Sequence, residues 1–201
     1  MSLKPEGYEK YSAGSYMKFN QAPSNIGESK AYPIRIMEKP ITGYVYWEDS
    51  AGNVRPRGSD ASTGDKPRRM RASEDFSREQ ISAMKMFFAM VVYNYEYEKI
   101  QVLDITQTGI MNGLDGLYDS KAWGDMSDYD IHIIQTKTGP EKKNVEYSVQ
   151  PQPKEKASKE ILGAYKEANI NLEALYEGGD PFGNKEAEVT EADFSKVNLD
   201  D

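Results

Sequence analysis

The stretch from Phe87 to Tyr95 is apolar or aromatic at every position but Asn94, and it contains no glycine, proline or formal charge. A run of that kind reads as a β-strand. A turn follows at Tyr95–Lys99, and Ile100–Ile105 returns as a second strand, so the centre of the chain is expected to be a hairpin. Every other element has to be arranged around it.

Upstream, Tyr32–Met37 is the first strand material and Ile41–Trp47 follows, rich in Thr, Tyr, Val and Trp, with Glu38, Lys39 and Pro40 bending the chain between them. From Glu48 to Met84 no period is sustained, and Gly52, Pro56, Gly58, Gly64 and Pro67 interrupt the segment. A loop this long inside a domain is usually functional or disordered. Its end, Ser77–Met84, is expected to form a short helix.

Downstream of the hairpin, Thr106 is placed to cap a helix over 107–118, with Ile110, Leu114 and Leu117 on one face. Gly109, Gly113 and Gly116 weaken that helix by up to about 1 kcal/mol each. Tyr129–Thr136 and Val145–Gln150 are further strands, the second alternating cleanly and stopped by Pro151 and Pro153. Ser158 caps a last helix expected to reach Tyr176.

Reading Tyr32–Trp47 as one bent strand gives the order strand, strand, strand, helix, strand, strand. That is the order of a five-stranded OB-like barrel. The expected organisation is an arm over 1–30, a barrel domain over 31–153, a helix over 154–177 and a disordered acidic tail over 178–201. No apolar run reaches membrane-spanning length and no signal-peptide pattern is present, so a cytoplasmic protein is expected. Without cysteine and with His132 as its one histidine, the chain lacks the common zinc-ligand sets, and no cofactor is expected.

Charge is polarised along the chain. The net charge is -8, but Glu177–Asp201 holds eight acids against Lys185 and Lys196. Between Arg55 and Arg71 lie Arg55, Arg57, Lys66, Arg68, Arg69 and Arg71 against Asp60 and Asp65. In OB barrels oligonucleotides cross the face of strands two and three, between the loop joining strands one and two and the loop joining strands four and five. Here those loops are Glu48–Met84 and Lys137–Asn144, the second carrying Lys137, Lys142 and Lys143 against Glu141. Both are basic.

Unpaired bases need flat aromatic faces beside those cations. The expected platforms are Tyr44, Tyr46 and Trp47 on the first strand and Tyr93 and Tyr95 on the second. Four to six phosphate contacts from the two loops predict a salt slope of about 3 to 4. Two other readings stay open. Asp125, Asp128 and Asp130, with Glu98 or Asp104, form a carboxylate set that suits a Mg²⁺-dependent nuclease. An adaptor binding another protein through the aromatic face is the third.

Val91-Val92-Tyr93-Asn94-Tyr95, Gln101-Val102-Leu103-Asp104-Ile105-Thr106-Gln107, Trp123-Gly124-Asp125 with Tyr129-Asp130-Ile131, and Glu146-Tyr147-Ser148-Val149 before Pro151 and Pro153 resemble the single-stranded DNA-binding proteins of tailed bacteriophages. The likeness spans roughly 16–182. It implies a non-enzymatic protein that binds and protects single strands during replication and recombination in an infected or prophage-bearing host. It also implies an acidic tail that recruits a polymerase, helicase or primase, with Asp180, Phe182, Glu191, Asp193, Phe194, Asp200 and Asp201 as the contacts. The zinc held by some members is not possible here, and the tail ends in Leu199-Asp200-Asp201 where related tails often end in an aromatic. Too polar to fold alone, the tail is expected to compete with DNA for the basic groove.

Overall fold

The computed structural model describes residues 15–19, 22–59 and 64–183. It is an open, mainly antiparallel sheet of seven strands, curved like a barrel but not closed. The strands are β1 (Ser29–Ile36), β2 (Ile41–Glu48), β3 (Lys66–Arg71), β4 (Lys85–Asn94), β5 (Lys99–Ile105), β6 (Tyr129–Lys137) and β7 (Val145–Lys154). Among the described residues, three short α-helices, α1 (Arg78–Ala83), α2 (Thr108–Tyr118) and α3 (Lys159–Ala168), accompany them. Among the described residues, no helix is long and apolar enough to cross a membrane.

β4 is the hub. Along one edge its second half pairs with β1, Ile36 opposite Val92, and its first half pairs with β2, Ile41 opposite Ala89. Where the sequence reading had one bent strand, two separate strands, β1 and β2, thus pair with successive halves of β4. β5 takes β4's other edge, and β6 joins β1 to β7.

Closure fails between β5 and β7, which are not paired. Residues 15–17 occupy β5's remaining edge instead: the Met17 amide donates to the Val102 carbonyl and the Val102 amide to that of Ser15. Phe19 then packs against the rings of Tyr32 and of Tyr147 on β7. Residues 15–19 of the expected arm are therefore packed with the core. α2 fills the rest of the opening by lying on β7. A Cβ on Gly109 would stand 2.9 Å from the Tyr147 carbonyl oxygen, and one on Gly113 would stand 2.7 Å from a Val149 methyl. Those glycines cost helix propensity but allow the close approach that plugs the seam.

Three boundaries differ from expectation. The basic end of the long loop is a strand, β3, because β2 offers it a full ladder from Gly43–Arg71 to Glu48–Lys66. β7 runs through Pro151 and Pro153, which an edge strand tolerates. The last helix stops at Asn169, which takes the left-handed conformation, and a separate 3₁₀ segment follows at Leu172–Glu177. A smaller correction concerns α2, whose N-cap is Gln107 without a side-chain bond, not Thr106.

The centre of the sheet, β4 and β5, is buried on both faces. Inside the curve, Ile34, Met90, Leu103, Ile131 and Ile133 pack with Ile110 and Leu114 of α2. On the outer face, Val45, Phe87, Val91 and Val102 are covered by Leu172 and Leu175, with Tyr165, Tyr176 and Phe182 alongside. The C-terminal segment therefore sits on β2, β4 and β5, where the sequence placed the binding face. Residues 178–183 belong to this cover, so the tail does not begin at 178. The Asn171 amide donates to the Pro181 carbonyl, and Phe182 meets Tyr16 edge-to-face.

Candidate nucleic-acid interface

Beyond the C-terminal cover, one end of the outer face stays open. It forms a cleft of about 280 Å³ with Val45 and Trp47 of β2 and Lys85 of β4 in its wall. Pro67 and Arg69 of β3, Asp104 and Thr106 at the end of β5, and Arg55 and Arg57 from the β2–β3 connection complete it. The placement follows from register. Trp47 faces Pro67, Val45 faces both Arg69 and Lys85, and alternation sends these side chains to the same side. Trp47 is 45% exposed.

Much of the basic charge is already engaged. Arg69 is ion-paired with Asp104 and stacks over Phe87 at 5.7 Å. Arg55 pairs with Asp65 at 3.5 Å and Arg68 with Glu48 at 3.4 Å. Arg71 holds Glu173 at 2.7 Å and lies 4.3 Å over the Tyr176 ring, so it ties the C-terminal cover to β3. Arg57, Lys66 and Lys85 have no acidic partner among the described residues. Of these, Arg57 and Lys85 line the cleft.

The expected aromatic platforms divide. Trp47 stands in the cleft, whereas Tyr46 is buried, bonded through its hydroxyl to Glu48 and Gln80. Tyr44 is half-buried, edge-on to Phe76. Tyr93 and Tyr95 meet each other edge-to-face at the far end of β4, eight residues or about 26 Å along the strand from Lys85. The Tyr95 hydroxyl donates to Asp130 at 2.9 Å. They do not share a site with Trp47.

The second basic loop does not converge on the cleft either. Lys137 is buried and donates to the Glu141 carbonyl, which closes the β6–β7 turn. Lys143 pairs with Glu141 at 3.0 Å and Lys142 is exposed. None of the three lines the cleft. Of the residues expected to make the tail's contacts, Asp180 is exposed and accepts from the Phe182 amide, while Phe182 is packed. Glu191, Asp193, Phe194, Asp200 and Asp201 lie outside the described residues.

Three of the carboxylates read as a Mg²⁺ set, Asp125, Asp130 and Asp104, are engaged in separate structural contacts. Asp125 caps a 3₁₀ turn by accepting from the Ser127 amide and hydroxyl, which holds its pKa below the ordinary aspartate value. Asp130 pairs with Arg35, and Asp104 with Arg69. Among the described residues no three carboxylate, histidine or cysteine side chains converge as a metal site.

Two tyrosines give the fold an alkaline limit. Burial first, and then a hydrogen bond to a carboxylate, push Tyr95 (onto Asp130) and Tyr165 (onto Glu38) up to about 12. Both values are raised, so the stability they contribute is complete below the unfolded tyrosine value and is lost as pH rises through the folded one. Stability should fall between about pH 10 and 12. Following phenolate absorbance during alkaline titration checks this: at least two tyrosines should ionise late, and Tyr165→Phe should remove one of them. A single transition near the ordinary value would show that neither carboxylate contact persists.

Tyr118 was not among the sequence-derived platforms. It ends α2, 49% exposed, with the Lys39 ammonium 5.4 Å from its ring centroid. Its only signal was position, directly after Leu117 and so about 100° around the helix from the apolar face. Comparison with protein-family models, with curated proteins and with solved structures found no match to this chain.

Proposed function

We propose that this chain binds single-stranded nucleic acid without sequence preference, as an OB-like protein of the kind the motifs resemble, and that Trp47 is its central base platform. The observation carrying the reading is an exposed indole inside a cleft lined by Arg55, Arg57, Arg69 and Lys85, against Asp65 and Asp104. Stacking is sequence-tolerant because every base has a π-face, and the cations follow the phosphates. Duplex binds poorly because its bases are already stacked on one another. The OB reading is supported by the element order, in which β1 and β2 pair with successive halves of β4 and α2 stands between β5 and β6. Protection of single strands during phage replication, and recruitment of replication enzymes by residues beyond 183, belong to the same proposal.

The ion pairs lower the expected salt dependence. With two or three cations free for phosphate, the slope should be about 1.5 to 2, below the value predicted from the loop composition. Trp47→Ala should weaken binding by roughly 5- to 150-fold, the loss of one stacked base at about 1 to 3 kcal/mol. Titrating a Trp123→Phe protein with oligothymidylate isolates the Trp47 emission. Quenching that saturates, and weakens as salt rises, is the expected result. Unchanged emission together with unchanged affinity in Trp47→Ala would overturn the reading.

A further inference from the structure

The cleft at Trp47 does not end there. β5 stops at Ile105 opposite Phe88, so Lys85, Met86 and Phe87 pair on the β2 side and have no β5 partner. The chain leaves β5 at Thr106 and enters α2 on the other side of the sheet, which opens a notch beside Met86. A second cavity of about 310 Å³ fills this notch and shares Arg57, Lys85 and Thr106 with the cleft. A third, of about 130 Å³, shares Phe88 and Asp115 with the second and is lined by Lys39, Thr42 and Tyr118.

Resting on the single-strand reading, we infer that these three cavities are one binding path, which carries a strand from Trp47 around the free edge of β4 to Tyr118. The path differs from a track across the β4–β5 face, which the C-terminal segment covers. Its exposed large apolar side chains stand in order: Trp47 in the first cavity, Met86 in the second and Tyr118 in the third. Cations accompany them, Arg57 and Lys85 at the first junction and Lys39 beside Tyr118. Along β2 from Trp47 to Thr42 is five residues, or about 17 Å. Thr42 lines the same cavity as Tyr118, and a span of that length fits an occupant of about four nucleotides, the short end of known site sizes. Asp115 lines the second and third cavities and repels phosphate there, so it sets the weak point of the path.

The full chain and its variants are titrated with oligothymidylates of increasing length, from a dinucleotide to an octanucleotide. Tyr118→Ala should leave dinucleotide affinity unchanged and lower octanucleotide affinity about 10-fold. Asp115→Asn should raise octanucleotide affinity several-fold, and because both positions are exposed the fold should survive, as checked by unchanged melting. Trp47→Ala should weaken every length. If Trp47→Ala weakens binding but Tyr118→Ala and Asp115→Asn match wild type at all lengths, the path ends in the cleft, and this inference fails while the cleft reading stands. If Trp47→Ala has no effect either, both fail together.

Discussion

Asp130→Ala is expected to cost roughly 3 to 5 kcal/mol of stability, the range for removing one partner of a buried ion pair. Arg35 on β1 is 2% exposed, and its Nε donates to Asp130 on the neighbouring β6 at 2.5 Å. A second guanidinium nitrogen donates to the Glu155 carbonyl at 2.7 Å. Alanine at 130 leaves that cation in a low-dielectric site with a carbonyl alone, and it also strips Tyr95 of its acceptor. Solvent reaches more than a quarter of the Asp130 side chain, which puts the expectation at the lower end of the range. Asp130→Asn keeps an acceptor for both donors and should cost about 1 kcal/mol. The double variant Arg35→Met/Asp130→Leu should recover much of the loss, because a well-packed apolar pair needs no desolvation of charge. Urea unfolding followed by tryptophan emission measures all three. A loss under about 1 kcal/mol in Asp130→Ala would mean that water already compensates Arg35.

Gly43→Ala should be nearly as damaging, at about 3 kcal/mol, the upper range for overpacking. Gly43 lies on β2 between Arg71 of β3 and Phe87 of β4. An added Cβ would overlap the Met70 carbonyl oxygen and stand 3.2 Å from the Phe87 ring. A side chain could turn aside, but this carbonyl belongs to the strand backbone, so β3 itself must move. Pro67 and Arg69 travel with it, and the cleft loses one wall. Oligonucleotide affinity should therefore fall even under conditions where the variant is folded. Wild-type stability and affinity together would show that β3 is not held against β2 at this point.

The strands that could be read in advance were those whose order comes from their own side chains. β6 is one: Tyr129, Ile131, Ile133 and Gln135 are buried and the residues between them are not. β3 was missed because Lys66-Pro67-Arg68-Arg69-Met70-Arg71 has no apolar alternation, and its extended form is imposed by β2's ladder. The face expected to bind, across β4 and β5, is covered for a different reason. A strand apolar at nearly every position, as from Phe87 to Val92, is one covered on both sides. The helix led by Ile161 and the Leu172–Leu175 pair supply the second cover. Tyr93 and Tyr95 flank a turn and so read as accessible, yet Tyr95 is spent on Asp130. Trp47, read from the sequence as a base platform, lines the cleft, but its separation from the other aromatics depends on strand register, which local sequence does not encode. Ion pairing was equally hidden, since Asp104 and Glu173 are 35 and 102 residues from the arginines they meet.

β3 ends the sheet order, with β2 as its one strand neighbour. An unpaired strand edge is a template on which another chain can build, and natural sheets blunt it with charge and proline. Lys66, Arg68 and Arg71 are exposed on this strand, and Pro67 has no amide hydrogen to offer. The cationic strand beside the cleft is thus also a guard against self-association. Replacing Lys66, which has no acidic partner among the described residues, together with Pro67 removes both devices, so such variants should associate edge to edge at high concentration.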